Sequence, residues 1–314
     1  MKFSSTTRKA ATIGAVAALV LVGTAGCNRA SSGAGANPKV VLSLSTLNNP
    51  FFIEVRDGAK AEAAKKGVDL EIVDAQNDSA QQSNQLQTAA SGSAKAVIVN
   101  PVDSDAVGSS VSALNKGDIP VVAVDRTVNG ATTASFIASD NVAGGEQAAE
   151  DLAKAIGEKG DILVLQGQAG TSASRDRGKG FAEGIKKYPN IKVVGEQTAN
   201  FDRATALDVT TNLLQAHPGI VGIFAENDEM ALGAIKALGS KAGTSVKVAS
   251  FDGEDDGLSA IKDGTLSSTI AQQPAKLGAL AVDQALLAID GKATKTVSVP
   301  VVSVTKTNVG DFSK

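Results

Sequence analysis

Ser45-Thr46-Leu47-Asn48-Asn49-Pro50-Phe51-Phe52 follows an apolar run, residues 39–44. It precedes a segment, 53–66, whose Glu54, Arg56, Asp57, Lys60, Glu62, Lys65 and Lys66 mark the wet face of a helix. The stretch is a strand-to-helix loop, and it holds two adjacent phenylalanines beside a proline and two amides. Aromatic rings on a surface loop are costly to leave in water. Two explanations compete. Phe51 and Phe52 either staple the helix to the sheet, or wall a ligand cleft at the carboxyl end of a strand, where open α/β sheets bind ligands.

Downstream, strand and helix signals alternate. Apolar, β-branched runs fall at 68–73, 96–99, 121–124, 135–137, 161–165, 191–194, 220–224, 246–250, 266–270 and 297–302. Helical spacing occupies 80–90, 105–115, 142–156, 175–187, 204–215, 229–238, 257–262 and 274–289. Near-continuous apolar strands separated by helices predict parallel sheets covered on both faces. So many strands exceed one twisted open sheet, and the expected fold is α/β with two doubly wound, Rossmann-like lobes. No Pro- or Ser-rich linker divides them, so the chain is expected to cross between lobes near Ser139-Asp140, Gln272-Gln273 and Val301-Val302. That makes 39–139 plus 273–301 one lobe and 140–272 plus 302–314 the other.

The first segment belongs to neither lobe. Lys2, Arg8 and Lys9 precede an apolar stretch, 10–22, too short for a comfortable membrane span, so residues 1–26 read as a secretory signal peptide. Gly23-Thr24-Ala25-Gly26 leads into Cys27, the only cysteine of the 314 residues. This resembles the lipobox of bacterial lipoproteins, with Thr24 where leucine is usual; the resemblance implies acylation of Cys27. A free thiol beside an ordinary cleavage site is the alternative. Residues 28–38, rich in Ser, Gly and Ala, read as a flexible tether holding a soluble domain near a membrane. One cysteine permits no internal disulfide. Beyond residue 26, 27 Lys+Arg face 33 Asp+Glu, a balance that does not suggest nucleic acid as a partner.

The residues after the strands carry the chemistry. Asp125-Arg126 follows 121–124, and a Gly-rich loop, 166–171, leads to Arg175 and Arg177. Phe201-Asp202, Asn227-Asp228, Phe251-Asp252 and Gln272 end later strands. Ionised Asp only accepts hydrogen bonds, Arg only donates, and Asn or Gln does both. A sugar hydroxyl donates once and accepts, so it bridges such groups, while the C–H faces of the ring pack on aromatics. Asp125, Asp252, Arg126 and Arg177 sum to no net charge, which suits a neutral polyol over a phosphate or carboxylate.

At these residues the chain resembles the ribose-binding receptors of bacterial ABC importers, within the type I periplasmic-binding-protein family. The resemblance covers residues 38–306. It rests on 45–52, Ile98-Val99-Asn100-Pro101 with 103–108, Ile137-Ala138-Ser139-Asp140-Asn141, Gly170-Thr171-Ser172-Ala173, Phe201-Asp202-Arg203, 227–234, Phe251-Asp252-Gly253 and Thr269-Ile270-Ala271-Gln272. It implies a receptor that captures D-ribose between its lobes and delivers it to an ABC permease. Phe51 and Phe52 would stack on one sugar face and Phe201 on the other, with Phe251 closing the side. Asn49, Asp125, Arg126, Arg177, Asn227, Asp252 and Gln272 would hydrogen-bond the hydroxyls and ring oxygen. A monomer without cofactor, anchored by lipid outside the cytoplasmic membrane, is expected. The alternative is a receptor for another small sugar or an autoinducer-2-like ligand.

Other classes fare worse. A glycosidase using Asp125 and Asp252 is disfavoured because their Arg partners are expected to depress both pKa values and spoil a general acid. A transcriptional regulator would need a helix-turn-helix where the signal peptide stands. Residues 252–263 space oxygens like a calcium loop but place Asp263 at its last position, and a helix is expected to start inside it. The loop 167–170 lacks the Lys-Ser/Thr of a phosphate loop. His217, the only histidine, precedes Pro218-Gly219 at a helix end, where a capping role is expected. One His and one Cys leave no catalytic triad or histidine-rich metal site.

Overall fold

The computed structural model describes residues 37–312 apart from residue 293; the expected signal peptide, Cys27 and nearly all of the tether lie outside the described residues. Strands β1 (Lys39–Leu44), β2 (Asp69–Asp74), β3 (Ala96–Val99), β4 (Val121–Val124) and β5 (Ser135–Ser139) alternate with helices α1 (Pro50–Lys66), α2 (Ser79–Ser91) and α3 (Gly108–Lys116). Then follow α4 (Asn141–Ala155), β6 (Gly160–Gln166), α5 (Ser172–Ile185), β7 (Ile191–Thr198), α6 (Arg203–Ala216), β8 (Gly222–Ala225), α7 (Asp228–Leu238), β9 (Lys247–Asp252), α8 (Asp255–Asp263) and β10 (Ser268–Ala271). Helix α9 (Pro274–Ile289) and strands β11 (Val297–Val299) and β12 (Val302–Thr305) complete the chain.

The strands form two six-stranded sheets, ordered β11-β5-β4-β3-β1-β2 and β12-β10-β9-β8-β6-β7. Every pairing is parallel except β10 with β12. Strands such as β3 and β4 are buried at every position, because helices cover both faces. Helix pairs α1–α9 and α2–α3 lie on the first sheet, α4–α5 and α6–α7 on the second. Each of the four faces carries its own apolar cluster. The α4–α5 pair sits close because Gly145 and Gly180 have no side chains: a Cβ on Gly145 would fall 2.2 Å from the Arg177 carbonyl, and one on Gly180 2.0 Å from that of Val142.

The chain changes sheet three times: between β5 and α4, between β10 and α9, and between β11 and β12. The last change corrects the expectation of one strand over 297–302. Pro300 lacks an N–H and cannot extend a ladder, so the run splits, Val297–Val299 pairing in the first sheet and Val302–Thr305 in the second.

A second correction concerns the opening stretch. Phe51 and Phe52 lie in the first turn of α1, not in a loop before it. Asn49 is the N-cap, its Oδ1 accepting from the Phe51 amide at 2.7 Å, and Pro50 holds the first helical position, where its missing donor costs nothing. Helix α8 starts at Asp255, inside the stretch that spaces oxygens like a calcium loop.

Candidate functional site

Nine of the expected residues converge on one small cavity between the lobes. Asn49, Phe51, Phe52, Asp125 and Arg126 line it from the first lobe; Arg177, Phe201, Asn227 and Asp252 line it from the second. All sit at or just beyond carboxyl ends of strands, or on the helix that follows. The space between their atoms is about 270 Å³, part of it open to solvent, which points to a small-molecule occupant. Gln272 lines an adjoining cavity with Phe51 and Asp252. Phe251 lies behind the wall: it is fully buried in the core, with its ring centroid 3.9 Å from the Arg177 Cζ. Ala173 also lines the cavity; it falls within one of the stretches that carry the family resemblance, but its methyl group carries no chemical signal of a binding role.

On the first-lobe wall the two rings meet edge to face, centroids 5.1 Å apart, and both belong to the core cluster beneath α1. Stapling and wall-building are therefore the same act: their inner surfaces anchor the helix and their outer edges face the cavity. The Arg126 Cζ lies 5.3 Å from the Phe52 ring and 5.8 Å from that of Phe201 across the cleft, within cation–π range. Its Nη1 donates to the Pro101 carbonyl, and Asn100 Nδ2 donates to the Val124 carbonyl and Asp125 Oδ2. Asn100 and Pro101 thus fix the Asp125–Arg126 pair, whose closest N–O separation is 3.6 Å.

The second-lobe wall is built on buried polar groups. Arg177 donates from Nε to Asn141 Oδ1 at 2.9 Å and from Nη1 to the Glu226 carbonyl at 2.7 Å and Asp252 Oδ1 at 3.4 Å. Gln272 Nε2 donates to the same Asp252 oxygen at 2.6 Å. Asp228, with no exposed surface, accepts from the hydroxyls of Ser250 and Thr269 and the amides of Gly253 and Glu254, fixing the turn after Asp252. The Glu226 carboxylate accepts from the Gly167 amide and the Ser174 hydroxyl. Phe201 lies on Gly167, where a Cβ would fall 2.1 Å from the ring. Asp125, Phe201 and Asp252 carry φ values of 66°, 58° and 124°, strain of the kind that concentrates at functional sites.

The electrostatics overturn one expectation. The arginines are in place, yet Asp125 and Asp252 both have raised pKa values, because burial outweighs the attraction of Arg126 and Arg177. Burial likewise lowers Arg126 to about 10 and raises Glu226 to about 7. Glu254 is also pushed up, by burial and then by Asp252; its Oε1 accepts from the Phe51 amide across the lobes at 3.3 Å.

Four of the ten buried side-chain atoms that find no hydrogen-bond partner among the described residues belong to this set: Asp125 Oδ1, Arg126 Nε, Asn227 Nδ2 and Gln272 Oε1. Two accept and two donate. A ligand with hydroxyl groups can satisfy all four.

Known proteins share this architecture. The periplasmic binding protein domain matches residues 40–293. The ribose import binding proteins of Salmonella typhimurium and Bacillus subtilis are each 44% identical, over 83% of this chain and 88% of the former and over 82% and 84% for the latter. An ABC transporter solute binding protein from Bacillus halodurans, solved with bound myo-inositol, superposes with a TM-score of 0.84 at 32% identity, covering 90% of this chain and 99% of that one. With one cleft closed between two doubly wound lobes and a family match spanning most of its length, this chain belongs to the periplasmic-binding-protein family.

Proposed function

We propose that this chain is an extracytoplasmic receptor that closes its lobes on D-ribose and delivers it to the transmembrane subunits of an ABC importer. The unpartnered atoms of the cavity wall and of Gln272 beside it carry the ligand class: two donors and two acceptors call for hydroxyls, each of which donates once and accepts. Each cleft carboxylate sits beside one arginine, Asp125 by Arg126 and Asp252 by Arg177, so donors and acceptors stand side by side for the hydroxyls of a polyol. The small size of the cavity favours a monosaccharide over a larger sugar. Ribose within that class is supported by the names of the two relatives at 44% identity.

In this reading Phe51 and Phe52 pack on one face of the sugar and Phe201 on the other. Asn49, Asp125, Arg126, Arg177, Asn227, Asp252 and Gln272 take the hydroxyls and ring oxygen, and Phe251 braces Arg177. The cleft carboxylates are engaged by arginine, Asn100 and Gln272, which suits holding a ligand in place. Each lobe supplies part of the contact set, so ligand stabilises the closed form. Cys27 carries the lipid that keeps the monomeric domain on the outer face of the membrane; mass spectrometry of the mature protein tests that anchor. Calorimetric titration with ribose, galactose and xylose tests the ligand. Ribose is expected to bind most tightly, and ribose binding no tighter than millimolar would overturn the proposal.

A further inference from the structure

Two loops meet across the cleft beside the cavity but not on it. The Ser104 amide, after β3, donates to the Gly170 carbonyl at 3.0 Å. The Thr127 amide, after β4, donates to Ser172 Oγ at 2.9 Å. Ser104 and Thr127 belong to the first lobe, Gly170 and Ser172 to the second. None of the four lines the cavity, although their neighbours Arg126 and Ala173 do. None lies in the three segments where the chain changes sheet, so separation of the lobes breaks both bonds.

The fit at this contact is tight. Gly170 has φ +86°, and a Cβ there would fall 2.0 Å from Asp103 Oδ2. Asp103 is fixed in turn, its Oδ1 accepting from the amides of Asp105 and Ala106 at 2.8 Å. Ser172 is 3% exposed, so its bond to Thr127 is shielded from water. Other contacts between the lobes involve the cavity wall, Arg126 against Phe201 and the wall residue Phe51, whose amide donates to Glu254.

We propose that Gly170 and Ser172, seated on Ser104 and Thr127, form a latch that sets the receptor's affinity without touching its ligand. The inference rests on the receptor reading above. A ligand that binds only the closed form has its apparent affinity reduced by the fraction of closed molecules. A latch outside the cavity acts on that fraction alone. Weakening it therefore scales the affinity for every sugar by one common factor, whereas altering a wall residue changes the preference among sugars. Selectivity and affinity are separable in this cleft.

The test is calorimetric titration of the mature protein and its Ser172→Ala and Gly170→Ala variants, each with ribose and xylose. Loss of the Ser172 hydroxyl is expected to weaken both sugars by the same factor, roughly threefold to tenfold for one shielded hydrogen bond. Gly170→Ala, which drives a methyl group into Asp103, is expected to weaken both further with the ratio unchanged. Unaltered ribose affinity in both variants overturns the latch; so does a changed ratio, which would make Ser172 a ligand contact. Hydrogen–deuterium exchange of the Thr127 amide decides the matter independently of any sugar. Ser172→Ala is expected to accelerate it, and unchanged exchange overturns the latch. Wild-type protein that binds no sugar overturns the receptor reading and the latch's role in affinity with it; ribose binding that is unaltered in both variants overturns the latch alone.

Discussion

On the first-lobe wall of the cleft, Phe51 and Phe52 are 5% and 4% exposed and belong to the apolar core beneath α1. On the second-lobe wall, Arg177 is 3% exposed and held by Asn141, the Glu226 carbonyl and Asp252. The first wall is held in shape by packing, and loss of shape there costs the lobe its core. The second is held by a network of buried polar groups, and each member left without its partner carries the full cost of desolvation. The same cavity therefore answers to volume on one side and to charge on the other.

The largest effect should come from that network. Arg177→Ala leaves Asn141 Oδ1, the Glu226 carbonyl and Asp252 Oδ1 without their donor, and each buried acceptor left unpaired costs roughly 1–3 kcal/mol. A loss of a hundredfold or more in ribose affinity is expected in titration. Arg126→Ala should cost less, since Arg126 makes one side-chain hydrogen bond, to the Pro101 carbonyl, and its ion pair with Asp125 is long at 3.6 Å. Equal losses in the two variants would erase the contrast between the walls.

The aromatic residues sharpen it from the other side. Phe52→Ala empties part of the first-lobe core and should lower unfolding stability by roughly 3–5 kcal/mol. Phe201→Ala, on a half-buried ring, should leave the denaturation midpoint nearly unmoved while weakening ribose roughly tenfold. Denaturant melts and titrations of both variants check the pair, and a large stability loss for Phe201→Ala would contradict it.

A smaller, pH-dependent effect should come from Glu226, behind the second wall. Glu226 is raised by burial from 4.5 to about 7. The folded state then holds a proton that the unfolded state has released, so stability falls as pH rises from 4.5 through 7. At about 1.4 kcal/mol per pH unit, Glu226 alone should remove roughly 2 kcal/mol between pH 5 and 7.5. Glu226→Gln keeps an acceptor for the Gly167 amide and should flatten that part of the melting-temperature profile. An unchanged slope would show that Glu226 does not titrate in this range.

The same contrast explains what could be read in advance. Alternation of apolar runs with helical spacing announced the two parallel sheets, and residues after the strands announced the cavity, because both are local consequences of chain order. The start of α1 is legible too: Asn49 before Pro50 is a helix-start signal, although the charged face begins only at Glu54. Supporting contacts were not legible. Asn141 is 36 residues from Arg177 and the Glu226 carbonyl 49, and nothing local links them. The sign of the Asp252 shift depends on burial, which exists only once both lobes enclose the site. Phe251 sat at a strand end like the other rings, yet the pleat turned it into the core behind Arg177.

A crystal structure of the ribose complex tests the central claim most directly. Asp125 Oδ1, Arg126 Nε, Asn227 Nδ2 and Gln272 Oε1, unpartnered within the protein, should each lie about 2.6–3.2 Å from a sugar oxygen, with the ring between Phe201 and the Phe51–Phe52 pair. Sugar density outside this cavity, or a bound sugar that leaves these four atoms unengaged, would contradict the account.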